Sequence, residues 1–137
     1  MKYLKSSVLS FIFVLTAVFA VACGDNEKAS TPESTAIAFV ENSANGDADG
    51  MLELIDLSNL DEASNEMVKG KIKAVAVSSK EKTASKGGVE KIEVTKTDLN
   101  KDGNQARVRV QITYKDKTVT NDSVNIIKTN NEWRVKI

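Results

Sequence analysis

The hydrophobic period of this chain changes once. Up to about residue 80 the apolar residues recur every third or fourth position, and from Val89 onward they recur every second. Those are the repeats of a helix face and of a strand face. The chain therefore divides into a helical part followed by a stranded part, which predicts an α+β layout rather than alternating βαβ units. In the second half, Ile92 and Val94 mark a first strand. Ala106, Val108, Val110, Ile112 and Tyr114 alternate with Arg107, Arg109, Gln111 and Thr113 in a second. Val124 and Ile126 mark a third, whose earlier part places Val119 in the opposite parity and suggests a bulge. Trp133, Val135 and Ile137 mark a fourth. Asp102-Gly103, Asp116-Lys117 and Asn130-Asn131 lie between the runs and suit hairpin turns, so the sheet reads as an antiparallel meander.

The helical half begins at Thr31-Pro32-Glu33, which combines a capping hydroxyl, proline at the first helical position and an acid in the first turn. Ala36, Ile37, Val40 and Ala44 form its apolar stripe, and Asn45-Gly46 ends it. A second helix is expected at about 48–56, with Met51, Leu52 and Ile55 inward. A third, capped by Asn59 or Asp61, runs to about residue 80 with Val68, Ile72, Val75 and Ala76 inward, and Ser85-Lys-Gly87-Gly88 breaks the run. The expected architecture is three helices packed on one face of a curved four-stranded antiparallel sheet, filling residues 32–137.

The first 31 residues read differently. Lys2 and Lys5 precede fifteen almost wholly apolar residues, Val8 to Ala22. As a helix that run would reach about 22 Å, short of the roughly 30 Å hydrocarbon core of a bilayer. It ends in small residues and gives way at once to the polar stretch Gly24–Thr31, as a secretory signal does. Ala20-Val21-Ala22-Cys23 resembles a bacterial lipobox, with Ala20 where the pattern usually has Leu. The resemblance implies cleavage before Cys23 and a covalent lipid on its sulfur. Residues 1–22 are then a lipoprotein signal peptide, and 23–31 the lipidated cysteine and a flexible tether. Two or more acyl chains, palmitate among them, hold a protein stably where one is marginal. In such lipoproteins an Asp directly after the cysteine resembles an inner-membrane retention signal. Gly24 stands there, with Asp25 one place later, so outer membrane is favoured over inner membrane in a Gram-negative source.

Order and punctuation together resemble the nuclear-transport-factor-like cone fold, and more narrowly the bacterial lipoprotein domain of unknown function 4878. Thr31-Pro32-Glu33, Asn45-Gly46-Asp47 and Trp133-Arg134-Val135 carry the likeness. It implies no catalytic residues, and the wider fold hosts enzymes and binding modules alike.

Composition closes much of the remaining chemistry. The chain contains no histidine, which removes Ser-His and Cys-His pairs and imidazole metal sites. The single cysteine, Cys23, excludes an internal disulfide and thiolate zinc sites. Without Lys2 and Lys5, 17 basic residues face 19 acidic ones, a formal −2 that gives no case for nucleic acid. Asp98-Leu-Asn100-Lys-Asp102-Gly103 imitates a calcium loop, but Arg109 stands where its twelfth-position acid is needed, so a hairpin turn is expected. Asp47, Asp49, Glu53 and Asp56 imitate one better, between two helices, yet the first ligand position is Asn45. An interhelical turn without metal is expected there. Arg107, Arg109, Arg134 and Lys136 share the face opposite the apolar stripes and offer a surface contact for an anionic partner, although interleaved acids make a solvated face the default.

Taken together, these features predict a lipid-anchored, non-enzymatic binding or accessory module of the cell envelope with no cofactor beyond its lipid. Its partners would be the membrane and an envelope protein. The alternatives are an inhibitor or exclusion factor that blocks an incoming enzyme or phage protein and, third, a cone-fold enzyme. The face of the sheet toward the helices is expected to hold no acid, base or nucleophile. Any pocket should be small and apolar, with partners meeting the outer surface.

Overall fold

The computed structural model describes residues 31–137, so Cys23, the signal segment 1–22 and most of the tether 23–31 lie outside the described residues. Three helices, α1 (Pro32–Asn45), α2 (Ala48–Leu54) and α3 (Glu62–Ser85), precede β1 (Val89–Leu99), β2 (Gln105–Tyr114), β3 (Val119–Thr129) and β4 (Glu132–Val135). The strands form one antiparallel sheet in the order β1-β2-β3-β4, the meander that the hairpin signals predict. No helix among the described residues is long and apolar enough to cross a membrane.

Local chemistry sets the helix ends. The Thr31 hydroxyl accepts from the Ser34 backbone N–H at 3.0 Å, and the Ser34 hydroxyl accepts from the Thr31 N–H at 3.2 Å, which satisfies two donors that a helix start leaves free. α1 closes on Gly46 at φ 74°, a left-handed position where an added Cβ would also stand 2.7 Å from Lys80 Cδ. Asp47 caps α2 through the Gly50 N–H at 2.9 Å, and Asp61 caps α3 through the Ser64 N–H at 2.7 Å. α2 stops at Leu54 rather than near residue 56, because Ile55 turns extended and bridges Val135 while the Asp56 N–H donates to the Val135 carbonyl at 2.9 Å. α3 runs on to Ser85, past the expected end. Lys80–Ser85 has Ala84 as its single apolar residue but also lacks any breaker before Gly87 and Gly88, both at positive φ.

α1 lies across all four strands, and α3 packs chiefly on α1 and α2. The core between α1 and the sheet is built from Ala36, Val40, Met51, Ile55, Val108, Val110, Ile126 and Val135, with Trp133 and Tyr114 near its ends. Four expectations about burial need correction. Ile37 is half-buried and lies outside the core, because the buried side of α1 runs through Thr35, Ala36, Val40 and Ala44 instead. Val75 is 46% exposed, because α3 turns that face toward a gap beside the sheet rather than into the core. Ile137 is 59% exposed, because it lies beyond the end of β4. In α2 it is Leu54 that is buried, while Leu52 is half-buried against the core's rim.

The expected bulge in β3 is also absent: β2 and β3 pair residue for residue from Gln105↔Ile127 to Thr113↔Val119. The irregularities fall in β1 instead, between Val89 and Lys91 and between Val94 and Lys96. Two extra residues on an edge strand bend it and raise its twist, which curves the sheet around the helices.

Candidate functional site

An unbulged β3 fixes which of its side chains face the helices. Val124 and Ile126 do, and so by strict alternation do Asp122, opposite Val110, and Thr120, opposite Ile112. The expectation of an acid-free inner face is therefore wrong at Asp122. Val119 lies opposite Thr113 on the outer face and is half exposed, so the change of parity in the sequence marks an exposed apolar residue and not a bulge.

Asp122 opens onto a cleft of about 400 Å³ whose floor is α1 and whose walls are α3 on one side and β2 and β3 on the other. The size falls within the usual range for small-molecule sites. Phe39, Val40 and Ala44 line the floor. Ile112, Tyr114 and Val124 line the sheet wall. From α3 come Val75, Ser78, Ser79, Lys82 and Thr83, positions spaced three and four apart and so on one helical face. The cleft is thus apolar at its base and carries one charge of each sign, Lys82 and Asp122, on facing walls. Neither makes an ion pair or a side-chain hydrogen bond among the described residues, where five carboxylates elsewhere each pair with a cation. At the floor the Ser43 hydroxyl donates to Ser79 Oγ at 2.8 Å, tying α1 to α3. The expectation of a small, apolar pocket gives way to one with polar and charged walls. Its signal in the sequence is the polar run Ser78-Ser79-x-x-Lys82-Thr83 on the face that Val75 begins.

A second, more open groove of about 560 Å³ lies at the β1–β2 hairpin end of the sheet, between Leu99, Ala106, Ile126 and Ile137, with Arg107 and Lys136 on its rim. The four basic residues of the outer face do not form one patch. Arg107 and Arg109 sit side by side on β2, and the Arg107 Nε–H donates to Asn125 at 3.2 Å. Arg134 is held away from them by Glu132 at 2.7 Å and by the Glu53 carbonyl at 3.0 Å. Lys91–Glu93 and Lys96–Asp98 pairs run along β1 on the same face, which makes it a mixed, solvated surface.

The acids around α2 are not gathered around a point. Asp47 is occupied as a cap, and no three potential ligands cluster among the described residues. Asp56 accepts from the Ser58 hydroxyl at 2.6 Å and from the Ser58 N–H at 3.1 Å. These bonds to the ionised form, the side-chain one first, hold its carboxyl below the ordinary carboxylate range, with smaller help from Thr129 and the Arg134 charge. The Asp98–Gly103 segment is a hairpin turn, in which Asn100 Oδ1 accepts from the Asn104 and Gln105 N–H groups and Gly103 sits at φ 69°.

The family profile described as Domain of unknown function (DUF4878) matches residues 21–136. No curated protein matches the chain. Among solved structures, a candidate NTF2-like transpeptidase from Campylobacter jejuni is similar with a TM-score of 0.74 at 27% identity, over 79% of this chain and 99% of that one. The intermembrane space region of the chloroplast protein ARC6 overlaps 75% of this chain and 86% of that one, at 14% identity and a TM-score of 0.36.

Proposed function

Because this chain belongs to the family of the domain of unknown function DUF4878 and carries the NTF2-like fold, we propose that it is a lipid-anchored accessory module of the cell envelope that captures a ligand in the cleft between α3 and the sheet. The observation that carries the reading is the cleft itself: an apolar floor, fixed hydroxyls and two unpaired opposite charges are the makings of a binding site. The anchor is Cys23, and the membrane is the first partner. An envelope component entering the cleft is the second, and the lipid is the only group covalently added. In a Gram-negative source, Gly24 directly after the cysteine favours the outer membrane over the inner one.

A second reading takes its cue from the name of the Campylobacter jejuni relative. A transpeptidase needs a nucleophile with a base in reach, and Ser79-Lys-Glu-Lys82 has the spacing of a serine–lysine pair on a helix. In this structure Ser79 Oγ accepts from Ser43 at 2.8 Å, and no hydrogen bond joins it to Lys82. That geometry supports binding over acyl transfer.

Thermal melting of the full-length chain in detergent tests the proposal against a set of envelope components: peptides, glycans and lipids. A ligand present at a hundred times its Kd stabilises a site by about 2.7 kcal/mol. At least one component should raise the melting temperature of the wild type and fail to raise that of Val75→Trp, whose ring fills the cleft from α3. An equal rise in both proteins would place binding elsewhere and defeat the reading.

A further inference from the structure

Resting on the cleft reading above, we infer that the ligand class is a short zwitterionic peptide of apolar composition, its ammonium end received by Asp122 and its carboxylate end by Lys82. The two charges come from separate elements, β3 and α3, that line the same cleft, and neither has a side-chain partner among the described residues. Neutral glycans would leave both charges unanswered, and a fatty acyl chain would leave at least one. A peptide with free ends answers both. The apolar surface between them, Phe39, Val75, Ile112 and the Tyr114 ring, suits aliphatic side chains. Ser79 accepts from Ser43 and so retains its own hydroxyl hydrogen, which a peptide carbonyl can take. An extended tripeptide spans about 10 Å, a length in keeping with a site of this volume.

Both charged groups are exposed, so each should strengthen binding modestly, by about threefold to tenfold, and the effect should fade with salt. The test is calorimetric titration of the full-length chain in detergent at low ionic strength. The probes are tripeptides of Ala, Leu and Phe, each free, N-acetylated or C-amidated. Acetylation and amidation should each weaken binding to the wild type. Asp122→Asn should bind the free and acetylated forms equally while still discriminating against the amide, and Lys82→Met should show the converse. Unchanged melting temperatures establish that the variants fold. Capped peptides bound as tightly as free ones, with Val75→Trp abolishing all of them, would overturn the zwitterion inference and leave the cleft reading standing. Binding that survives Val75→Trp would overturn both. Failure of every tripeptide to bind overturns the inference.

Discussion

Thr35 has no exposed surface, and its hydroxyl lies 3.1 Å from the Trp133 carbonyl and 3.2 Å from the Thr31 carbonyl. The first contact joins residues 98 apart in sequence. Replacing it with valine keeps the shape and removes the donor, so Thr35→Val should lower unfolding free energy by about 1–2 kcal/mol. Urea denaturation should show this as a lower midpoint with an unchanged slope. Three carboxylates, Asp56 half-buried and Asp61 and Asp116 exposed, give a second test at this scale. Hydrogen bonds from Ser58 lower the pKa of Asp56, those from Ser64 lower that of Asp61, and those from Thr118 lower that of Asp116. A carboxylate whose pKa is lower folded than unfolded stabilises the fold fully above its ordinary value, and that contribution disappears as pH falls through the folded value. The melting temperature should therefore hold flat above the carboxylate range, then drop as pH goes below about 4. In Ser58→Ala the loss should be shallower, because Asp56 then titrates more nearly alike in both states. A wild-type melting temperature that rises on acidification would contradict this account.

At the scale of elements, α3 separates what periodicity can show from what it cannot. Spacing correctly groups Val68, Ile72, Val75 and Ala76 on one broad face, but only Ile72 and Ala76 are buried. A helical repeat tells which residues share a side; whether another element covers that side depends on the packing of α1 and the sheet. Ile72→Ala should accordingly destabilise the protein by about 2–4 kcal/mol, and Val75→Ala should stay within about 0.5 kcal/mol of wild type; parallel urea titrations measure both. Similar losses at the two positions would mean that α3 sits deeper than the structure places it. The strands were more legible than the helices, because alternation assigns faces locally and the turns at Gly103 and Asn130-Asn131 fix the hairpins. The sheet order, the inward set of β2 and the cap at Thr31 follow from nearest neighbours in sequence, while for α3 the sequence offers both Asn59 and Asp61 and the structure selects Asp61. The cleft did not. Its walls come from α1, α3, β2 and β3, so no single stretch of chain displays it, and Asp122 breaks the apolar pattern by which inward strand positions are recognised.

For the whole molecule, the proposed anchor makes a prediction independent of the cleft. Cys23→Ser should abolish incorporation of labelled palmitate and move the protein out of the membrane fraction, and continued labelling would end the lipoprotein proposal. Folding of the domain should be indifferent to that change, since every residue of the core lies beyond it, from Ala36 onward. The clasp between α1 and β4 bears on how the protein is made. Thr35 and Ile55, both in the first half of the chain, meet the strand that contains Trp133 and Val135, and neither can find its mate until that strand has been synthesised. A nascent chain with only its helices and first hairpin released is a sheet without its closing edge. If the chain is exported as proposed, the late arrival of β4 would delay closure of this clasp and leave the rest of the chain easier to thread through a narrow pore.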